Sequence, residues 1–314
     1  MSEHTIAPDV VRPGTQVVDS PDSRGSYGRQ QAWLGLLFVL PVMILFILFV
    51  VLPAISAFFL SFTEYDILTS PTWIGLDNYR RQLEDTIFHR SIRNILVYAA
   101  IYVPASIGLS LLLALALNRK RPGMTFFRAV YYLPVVTSPV ASATIWTWLL
   151  NKDFGAVNQL LGYIGIQGPA WLSSSDTALY SIILVTLWGG LGGTMVIYLA
   201  GLQGVPGDIV EAARLDGANP LQVFRDITWP MLRTTTLFVV TVTLIGAFQL
   251  FDQAYVMTQG GPGYATYTPV YSIYQSGFTR LQMGYASSQA FVLFLVILAV
   301  TVIQLRVNRE HVTV

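Results

Sequence analysis

Apolar residues in this chain are gathered into long runs that polar connections separate. Six runs hold no charged residue and approach or exceed the roughly 20 residues that a helix needs to cross a bilayer core. They cover residues 34–60, 95–117, 129–150, 178–202, 234–251 and 286–305. Each must be helical, because a lone strand in lipid would leave its backbone groups unpaired. The pattern predicts an all-α integral membrane protein with six transmembrane helices.

A polar segment precedes the first run. Residues 1–30 contain Pro8, Pro13 and Pro21 and no apolar stretch, a composition typical of a disordered tail. The run that follows is far longer than the ~7–15 apolar residues of a signal-peptide core, so it is expected to be retained. We predict a disordered cytoplasmic tail over residues 1–30 and a membrane domain over residues 31–314.

The connections between the runs differ in Lys and Arg, which orient membrane helices. The connection 118–128 carries four of these residues and no acid, 203–233 carries three, and the C-terminal end carries two. On the opposite side, two connections carry one each, although residues 61–94 carry four. The balance predicts that both termini are cytoplasmic, which agrees with an even number of spans.

Composition fits a membrane protein and excludes several kinds of site. The 314 residues are 54% hydrophobic and 11% charged, whereas soluble domains carry about a quarter charged residues. A net charge of +1 gives no reason to expect a nucleic-acid partner. Cys is absent, so no disulfide or Cys-ligated metal can form, and the three His residues are too dispersed to predict a metal site.

The connection between the fourth and fifth runs contains closely spaced helix start and stop signals. Asp208 followed by Glu211 is similar to a capping box, and Gly217 is the expected left-handed stop of a first helix. Asn219 is suited to cap a second helix that begins with proline. We therefore predict a helix–turn–helix knob over residues 207–230, suited to docking into a groove of a partner.

The same loop resembles the EAA loop of bacterial ABC-importer permeases. That pattern is Glu-Ala-Ala, three residues, Gly, nine residues and Ile-x-Leu-Pro; this chain matches it from Glu211 to Pro230, with Trp229 in place of Leu. The resemblance implies a coupling helix in a cleft of a separate ATPase subunit, with a polar contact from Glu211. The residues implied in ATPase coupling are Glu211, Ala212, Ala213, Asp216, Gly217 and Pro230.

Three further segments are similar to carbohydrate-type permeases. Residues 73–79 are similar to the F-x-G-L-x-N-Y segment, residues 127–134 to the entry of the third span, and residues 258–262 to the T-x-G-G-P loop. The chain thus resembles the first of the two permeases of maltose, multiple-sugar and glycerol-phosphate importers. This implies a bacterial inner-membrane protein forming half of a sugar path. The implied partners are a second related permease, two ATPase subunits and an extracytoplasmic solute-binding protein.

The chain is not expected to hydrolyse ATP itself or to hold a cofactor. A P-loop needs Gly-Lys-Ser/Thr, because backbone amides and the Lys cradle the phosphates. Lys120 and Lys152 are the only lysines, and neither follows Gly. The resemblance places ATP and Mg²⁺ on the partner ATPase subunit.

A sugar path needs aromatic faces for sugar rings and amides or carboxylates for hydroxyls. The candidates near the outer ends of the runs are Gln249, Asp252, Gln253, Tyr255, Trp146, Trp148 and Trp188. Asp252 is the sharpest, because a carboxylate at a span end should face a wet cavity or a partner. Simpler interpretations stay open: an interfacial belt for the tryptophans, solvation of Asp252, and helix–helix bonding by Gln249.

Other functions remain as alternatives. No cation lies within the six runs, which favours a neutral sugar over a glycerol-phosphate or phosphodiester solute, although loop arginines or the partner could bind phosphate. A stand-alone secondary transporter would need intramembrane ionisable residues or inverted repeats, and neither is visible. A membrane enzyme would need a catalytic arrangement that the sequence does not display. The sequence does not identify the solute.

Overall fold

The computed structural model describes the backbone of residues 23–119 and 121–309 and the side chains of residues 33–119 and 121–306. Within these residues the chain is predominantly helical. It divides into two compact units, one ending at Ile55 and the other beginning at Ser56.

The N-terminal apolar run is helical throughout. Helix α1 (Ser23–Phe46) continues through a π-helical turn (Ile47–Val51) into α2 (Leu52–Leu60). The helix begins at Ser23 and so overlaps the last part of the predicted disordered tail, residues 23–30; residues 1–22 lie outside the described part. Extending an existing helix fixes one residue per hydrogen bond, so polar residues can be added to an apolar helix at little cost. Side chains 33–50 are all exposed, as expected for a segment that lipid covers.

A short polar region precedes the second span. Strand β1 (Thr63–Glu64) pairs antiparallel with β2 (Thr72–Trp73), and α3 (Asp77–Glu84) follows. The buried Asn78 amide donates hydrogen bonds to the carbonyl oxygens of Ser61 at 3.0 Å and Thr63 at 2.9 Å. These two bonds fix α3 against the first strand and satisfy carbonyls that would otherwise be buried without a donor.

Three of the predicted spans are continuous helices: α4 (Thr86–Leu117), α8 (Ala178–Gln203) and α14 (Met283–Arg309). Helix α4 starts nine residues before the predicted 95, because Asp85 caps it. Its Oδ1 accepts hydrogen bonds from the backbone N–H groups of residues 87 and 88 at 2.9 and 3.0 Å. These bonds satisfy donors that a helix start leaves without intrahelical partners.

The third predicted span is not one continuous helix. It consists of α5 (Met124–Val136) and α6 (Pro139–Leu149), and α7 (Ala156–Tyr163) follows. Thr137 and Ser138 separate α5 from α6 in an extended backbone conformation. Pro139 has no N–H to donate and disfavours helical geometry in the residue before it, so the helix stops and restarts there.

A sharp bend precedes the fifth predicted span. Helices α9 (Gly207–Leu215), α10 (Pro220–Val223), α11 (Trp229–Met231) and α12 (Arg233–Phe248) follow in order, with a π-helical turn (Phe224–Thr228) between α10 and α11. The axis turns by 67° between residues 220–231 and 233–248. Pro230 has no backbone N–H to donate to the carbonyl oxygen four residues before it. The missing bond accounts for the irregular helix that precedes this proline.

Helix α12 ends at Phe248, three residues before the predicted 251. A third π-helical turn (Ala254–Thr258), α13 (Pro269–Tyr274) and a fourth π-helical turn (Gln275–Thr279) then lead to α14. Four of the described helices are long and apolar enough to cross a bilayer, or five if the bent pair forms one span. The described residues thus support four or five spans and do not confirm the predicted six; α5 and α6 lie where the third span was predicted.

The core of the second unit lies between α4, α8 and α12. Its largest buried side chains include Tyr98 of α4, Ile182 of α8 and Phe248 of α12. Helices α5 and α8 are in direct backbone contact at Gly192. A Cβ on this residue would collide with the backbone of Tyr131. Such small-residue contacts are typical of helix packing in membranes.

Candidate functional site

The corner between α9 and α10 is fixed by backbone hydrogen bonds. The N–H of Ala218 donates to the carbonyl of Ala213 at 2.9 Å, and the N–H of Gly217 donates to that of Arg214 at 3.1 Å. This pair of bonds is a Schellman motif, and it requires a left-handed residue, which Gly217 supplies with φ of +87°. The predicted helix stop at Gly217 is confirmed. No described atom would lie within 4 Å of a Cβ there, so the requirement for glycine comes from the backbone alone.

The start of α10 is fixed by two reciprocal side-chain bonds. Asn219 Oδ1 accepts from the N–H of Gln222 at 2.9 Å, and Gln222 Oε1 accepts from the N–H of Asn219 at 2.8 Å. The predicted cap is confirmed, but the capping box predicted for the first helix is wrong. Helix α9 begins two residues earlier than that box would place it, at Gly207, because Pro206 has an extended ψ of 128° and occupies the cap position. Asp208 lies in the first turn, where its negative charge interacts favourably with the positive end of the helix dipole.

The residues predicted for coupling lie on the surface of this corner. Glu211, Ala212, Asp216 and Gly217 are exposed, whereas Ala213 and Pro230 are half-buried. Two apolar side chains flank the turn: Leu215 is 85% exposed and Leu221 is 73% exposed. The rigid corner therefore presents apolar side chains at its surface. A cleft of about 1030 Å³ separates the corner from the ends of α4 and α8, and Glu211 is among its lining residues.

The corner is joined firmly to the bundle at the bend. Val223 and Leu232 are buried, with 6% and 0% of their surfaces exposed. A Cβ on Gly201 of α8 would stand 3.0 Å from Leu232 Cδ2 and 2.6 Å from Thr235 Oγ1. Helices α8 and α12 are thus in close contact beside the bend.

The opposite end of α12 borders a cavity of about 310 Å³. Three of the predicted path residues, Gln249, Asp252 and Gln253, line it together. Its wall also contains Tyr98 and Tyr102, whose rings are stacked 5.1 Å apart on α4. The cavity combines aromatic faces with an amide and a carboxylate, the groups that a sugar requires. The two tyrosines were not predicted, although their spacing of four residues on one helix face was a usable signal.

The other predicted path residues lie in separate clusters. Tyr255 stacks on Phe251 at 5.3 Å. Trp146 and Trp188 pack edge to face at 5.4 Å and are not among the described lining of the cavity. Trp148 is 59% exposed and packs on Phe154 at 6.3 Å, as a belt residue would. Gln249 follows the last residue of α12, and its side chain is exposed, so it is not buried between helices.

Comparisons with known proteins identify the family of the chain. Residues 106–310 match the family model described as "Binding-protein-dependent transport system inner membrane component". The chain is 37% identical over 280 residues to "Probable ABC transporter permease protein YesP" of Bacillus subtilis strain 168, covering 88% of this chain and 90% of the relative. It is 31% identical over 279 residues to "Probable starch degradation products transport system permease protein AmyD" of Thermoanaerobacterium thermosulfurigenes, covering 88% and 94%.

The fold is also similar to that of a solved structure. A chain of the bacterial alginate ABC transporter, crystallised in complex with an alginate pentasaccharide-bound periplasmic protein, superposes with a TM-score of 0.82. The match covers 93% of this chain and 99% of that chain, at 21% sequence identity. At this identity the similarity concerns the fold alone.

Proposed function

The chain belongs to the family of binding-protein-dependent transport system inner membrane components, and from that premise we propose that it is a permease subunit of an ABC importer for a sugar or sugar-like solute. It is a multi-pass protein of the bacterial cell membrane. The relatives support the assignment, because one is named as an ABC transporter permease and another as a permease for starch degradation products.

The rigid corner at residues 207–230 is the observation that carries the coupling role. We propose that it docks into a cleft of a separate ATPase subunit, which binds ATP and Mg²⁺. Glu211, Ala212, Ala213, Asp216, Gly217 and Pro230 would form or shape the contact. Its exposed leucines and its fixed geometry support this role, because a pre-formed knob loses little conformational entropy when it docks.

The complete importer would contain more chains. We propose six spans, with α5 and α6 together as the third, the bent pair as the fifth, and both termini in the cytoplasm. In this topology the corner faces the cytoplasm and the cavity beside Gln249 opens towards the opposite side. A second related permease, two ATPase subunits and an extracytoplasmic solute-binding protein would complete the assembly. This chain itself would contribute no ATPase activity.

The cavity at the end of α12 supports a neutral sugar as solute. Gln249, Asp252 and Gln253 offer groups for hydroxyls, and the stacked Tyr98 and Tyr102 offer aromatic surface. Among the residues described as lining it, Asp252 is the one charged group, and its negative charge would repel a phosphate. A neutral sugar therefore fits this cavity better than the glycerol-phosphate alternative.

Reversing one charge on the corner tests the proposal. Glu211→Arg is expected to leave the two permeases associated while abolishing the stimulation of ATPase by loaded binding protein, together with uptake. The matched control is Glu84→Arg, which reverses an exposed acid on α3, in the region between the first two spans. Both are measured in liposomes containing the complete complex, with a panel of radiolabelled saccharides. Stimulated ATPase and uptake at unaltered levels in Glu211→Arg would contradict the coupling role.

A further inference from the structure

Helix α7 carries an apolar stripe on its exposed side. The stripe consists of Leu160, Tyr163 and Ile164, whose spacing of three and four residues places them on one helix face. These side chains are 65%, 87% and 70% exposed. Gln159 and Gly162 form the exposed strip beside them. The exposed side of α7 is thus divided into an apolar stripe and a strip without apolar side chains.

The opposite side of α7 is fastened to the bundle. Val157 of α7 packs against the core of the second unit, as does Trp171 in the segment that follows. Asn158 Oδ1 accepts a hydrogen bond from Trp171 Nε1 at 2.7 Å. Its Nδ2 donates to the carbonyl of Lys152 at 3.2 Å. These contacts fix the rotation of α7 about its axis, so the stripe is held outward.

The end of α7 is fixed by its own backbone. The N–H of Ile166 donates to the carbonyl of Leu161 at 2.9 Å, and the N–H of Gly165 donates to that of Gly162 at 3.0 Å. This pair of bonds is a Schellman motif, and Gly165 supplies the left-handed residue that it requires, with φ of +77°. Ile166, 51% exposed, adds a further apolar side chain just beyond the helix.

Helix α7 begins at the level where α6 ends. Its cap residue Gly155 lies against the last turn of α6, because a Cβ there would collide with the carbonyl oxygens of Leu149 and Asn151. Trp148 of α6 and Phe154 pack together at 6.3 Å between ring centroids, and both are more than half exposed. Exposed aromatic rings at a span end are typical of the boundary between lipid and water. Helix α7 therefore starts at the height of the membrane surface.

The segment around the stripe carries no charge. Residues 154–175 contain no Asp, Glu, Lys or Arg, whereas Lys152 and Asp153 precede them and Asp176 follows. Apolar side chains gain free energy when lipid replaces water around them, and here no ionised group would be desolvated at the same time. A soluble protein partner is usually guided to its site by charged groups, which this segment does not offer. The surroundings of the stripe therefore favour lipid.

We propose that the apolar stripe of α7 lies in the interface of the outer leaflet and anchors the segment between the third and fourth spans to phospholipid. A helix of this kind buries its apolar face about 5–10 Å into the boundary between headgroups and acyl chains. The inference goes beyond the proposed transport function, and it uses the proposed topology only to name the leaflet. Through Asn158 and Trp171, the anchored helix holds the outer end of the bundle at a fixed height in the membrane.

Spin-label depth measurements on the complete complex test the anchor. The chain contains no Cys, so Tyr163→Cys and Ile164→Cys each give one labelling site once the cysteines of the partner subunits are replaced. In nanodiscs of phosphatidylethanolamine and phosphatidylglycerol, both labels should collide more with oxygen than with a water-soluble nickel chelate, at a depth of about 5–10 Å. The matched control is Gly162→Cys, an exposed position on the same helix where a Cβ meets no described atom within 4 Å, and nickel collisions should dominate there. Ile145→Cys on α6, 56% exposed, marks the depth of the span itself.

Each other outcome overturns the inference in a distinguishable way. Dominant nickel collisions at Tyr163→Cys and Ile164→Cys would show that the stripe faces water. Few collisions with either reagent would show that a protein subunit covers it. Nickel collisions that disappear when loaded binding protein is added would assign the stripe to that partner. These readings involve no transport, so each leaves the sugar function intact; an aqueous reading at Ile145→Cys as well would overturn the proposed third span together with the anchor.

Discussion

Replacing Gly217 with alanine tests whether the corner must be pre-formed. The residue has φ of +87°, and no described atom would lie within 4 Å of a new Cβ. The substitution therefore introduces no collision, and its cost is that of placing an L-residue in the left-handed region, about 1–2 kcal/mol. Asparagine tolerates that region better, so Gly217→Asn should cost less.

The matched control lies ten residues earlier in the same loop. Gly207 is the first residue of α9, it is not among the glycines with positive φ, and a Cβ there would also meet no described atom within 4 Å. Gly207→Ala removes backbone freedom without strain and should stabilise the helix by about 0.5 kcal/mol. Two Gly→Ala changes in one loop are thus expected to have opposite signs.

Binding of the ATPase subunit is the assay. If docking requires the formed corner, a cost of about 1–2 kcal/mol weakens binding roughly five- to thirtyfold. Titrating ATPase subunit onto the permease pair in nanodiscs should show that loss for Gly217→Ala, a smaller loss for Gly217→Asn, and a change of less than about twofold for Gly207→Ala. Equal binding by all three variants, or equal losses in both alanine variants, would refute the reasoning.

Two further predictions concern the bundle. Gly192→Ala should lower the free energy of unfolding by about 1–3 kcal/mol, because the backbone of Tyr131 occupies the position of the new Cβ. Gly189→Ala, which meets no described atom within 4 Å, should melt like the parent, and identical melting of both variants would contradict the close contact. Burial raises the pKa of Asp85, but hydrogen bonds from the Tyr285 hydroxyl and two backbone amides outweigh it and hold that pKa below 3.8. Its stabilisation is therefore complete above pH 3.8 and lost as the pH falls through the lowered pKa; Asp85→Asn should flatten that part of a melting-temperature profile, and an unchanged profile would contradict the assignment.

The continuous spans could be predicted because their signal is local and uninterrupted. Residues 95–117 and 178–202 lie wholly within α4 and α8. The end of α12 was predicted three residues too late, and the chain just beyond it is bonded to a side chain distant in sequence. Buried Thr268 donates a hydrogen bond to the carbonyl of Leu250 at 2.8 Å, which supplies that carbonyl with a partner outside the helix. A bond across 18 residues leaves no trace in a pattern of apolar positions.

The corner and the cavity of the candidate site also differ in how far the sequence predicts them. The corner could be predicted because Gly217, Asn219 and Gln222 make their stabilising bonds within a few residues of one another. The cavity was predicted only on its α12 side, because the face that α4 turns towards α12 is decided by packing between spans. Tyr98 and Tyr102 are therefore visible as a helical pair in the sequence but not as part of a wall.

The bend at Leu232 joins two helical segments into an angled lever. The arm formed by residues 220–231 is about 18 Å long and the arm formed by α12 is about 24 Å long, at 1.5 Å per residue. If the two arms turn together about the buried Leu232, a rotation of about 15°, comparable to known switching motions, moves the corner by about 5 Å and the far end of α12 by about 6 Å. The far end of α12 then moves slightly farther than the corner, because its arm is the longer one, so a small movement of the corner reaches Gln249 without loss.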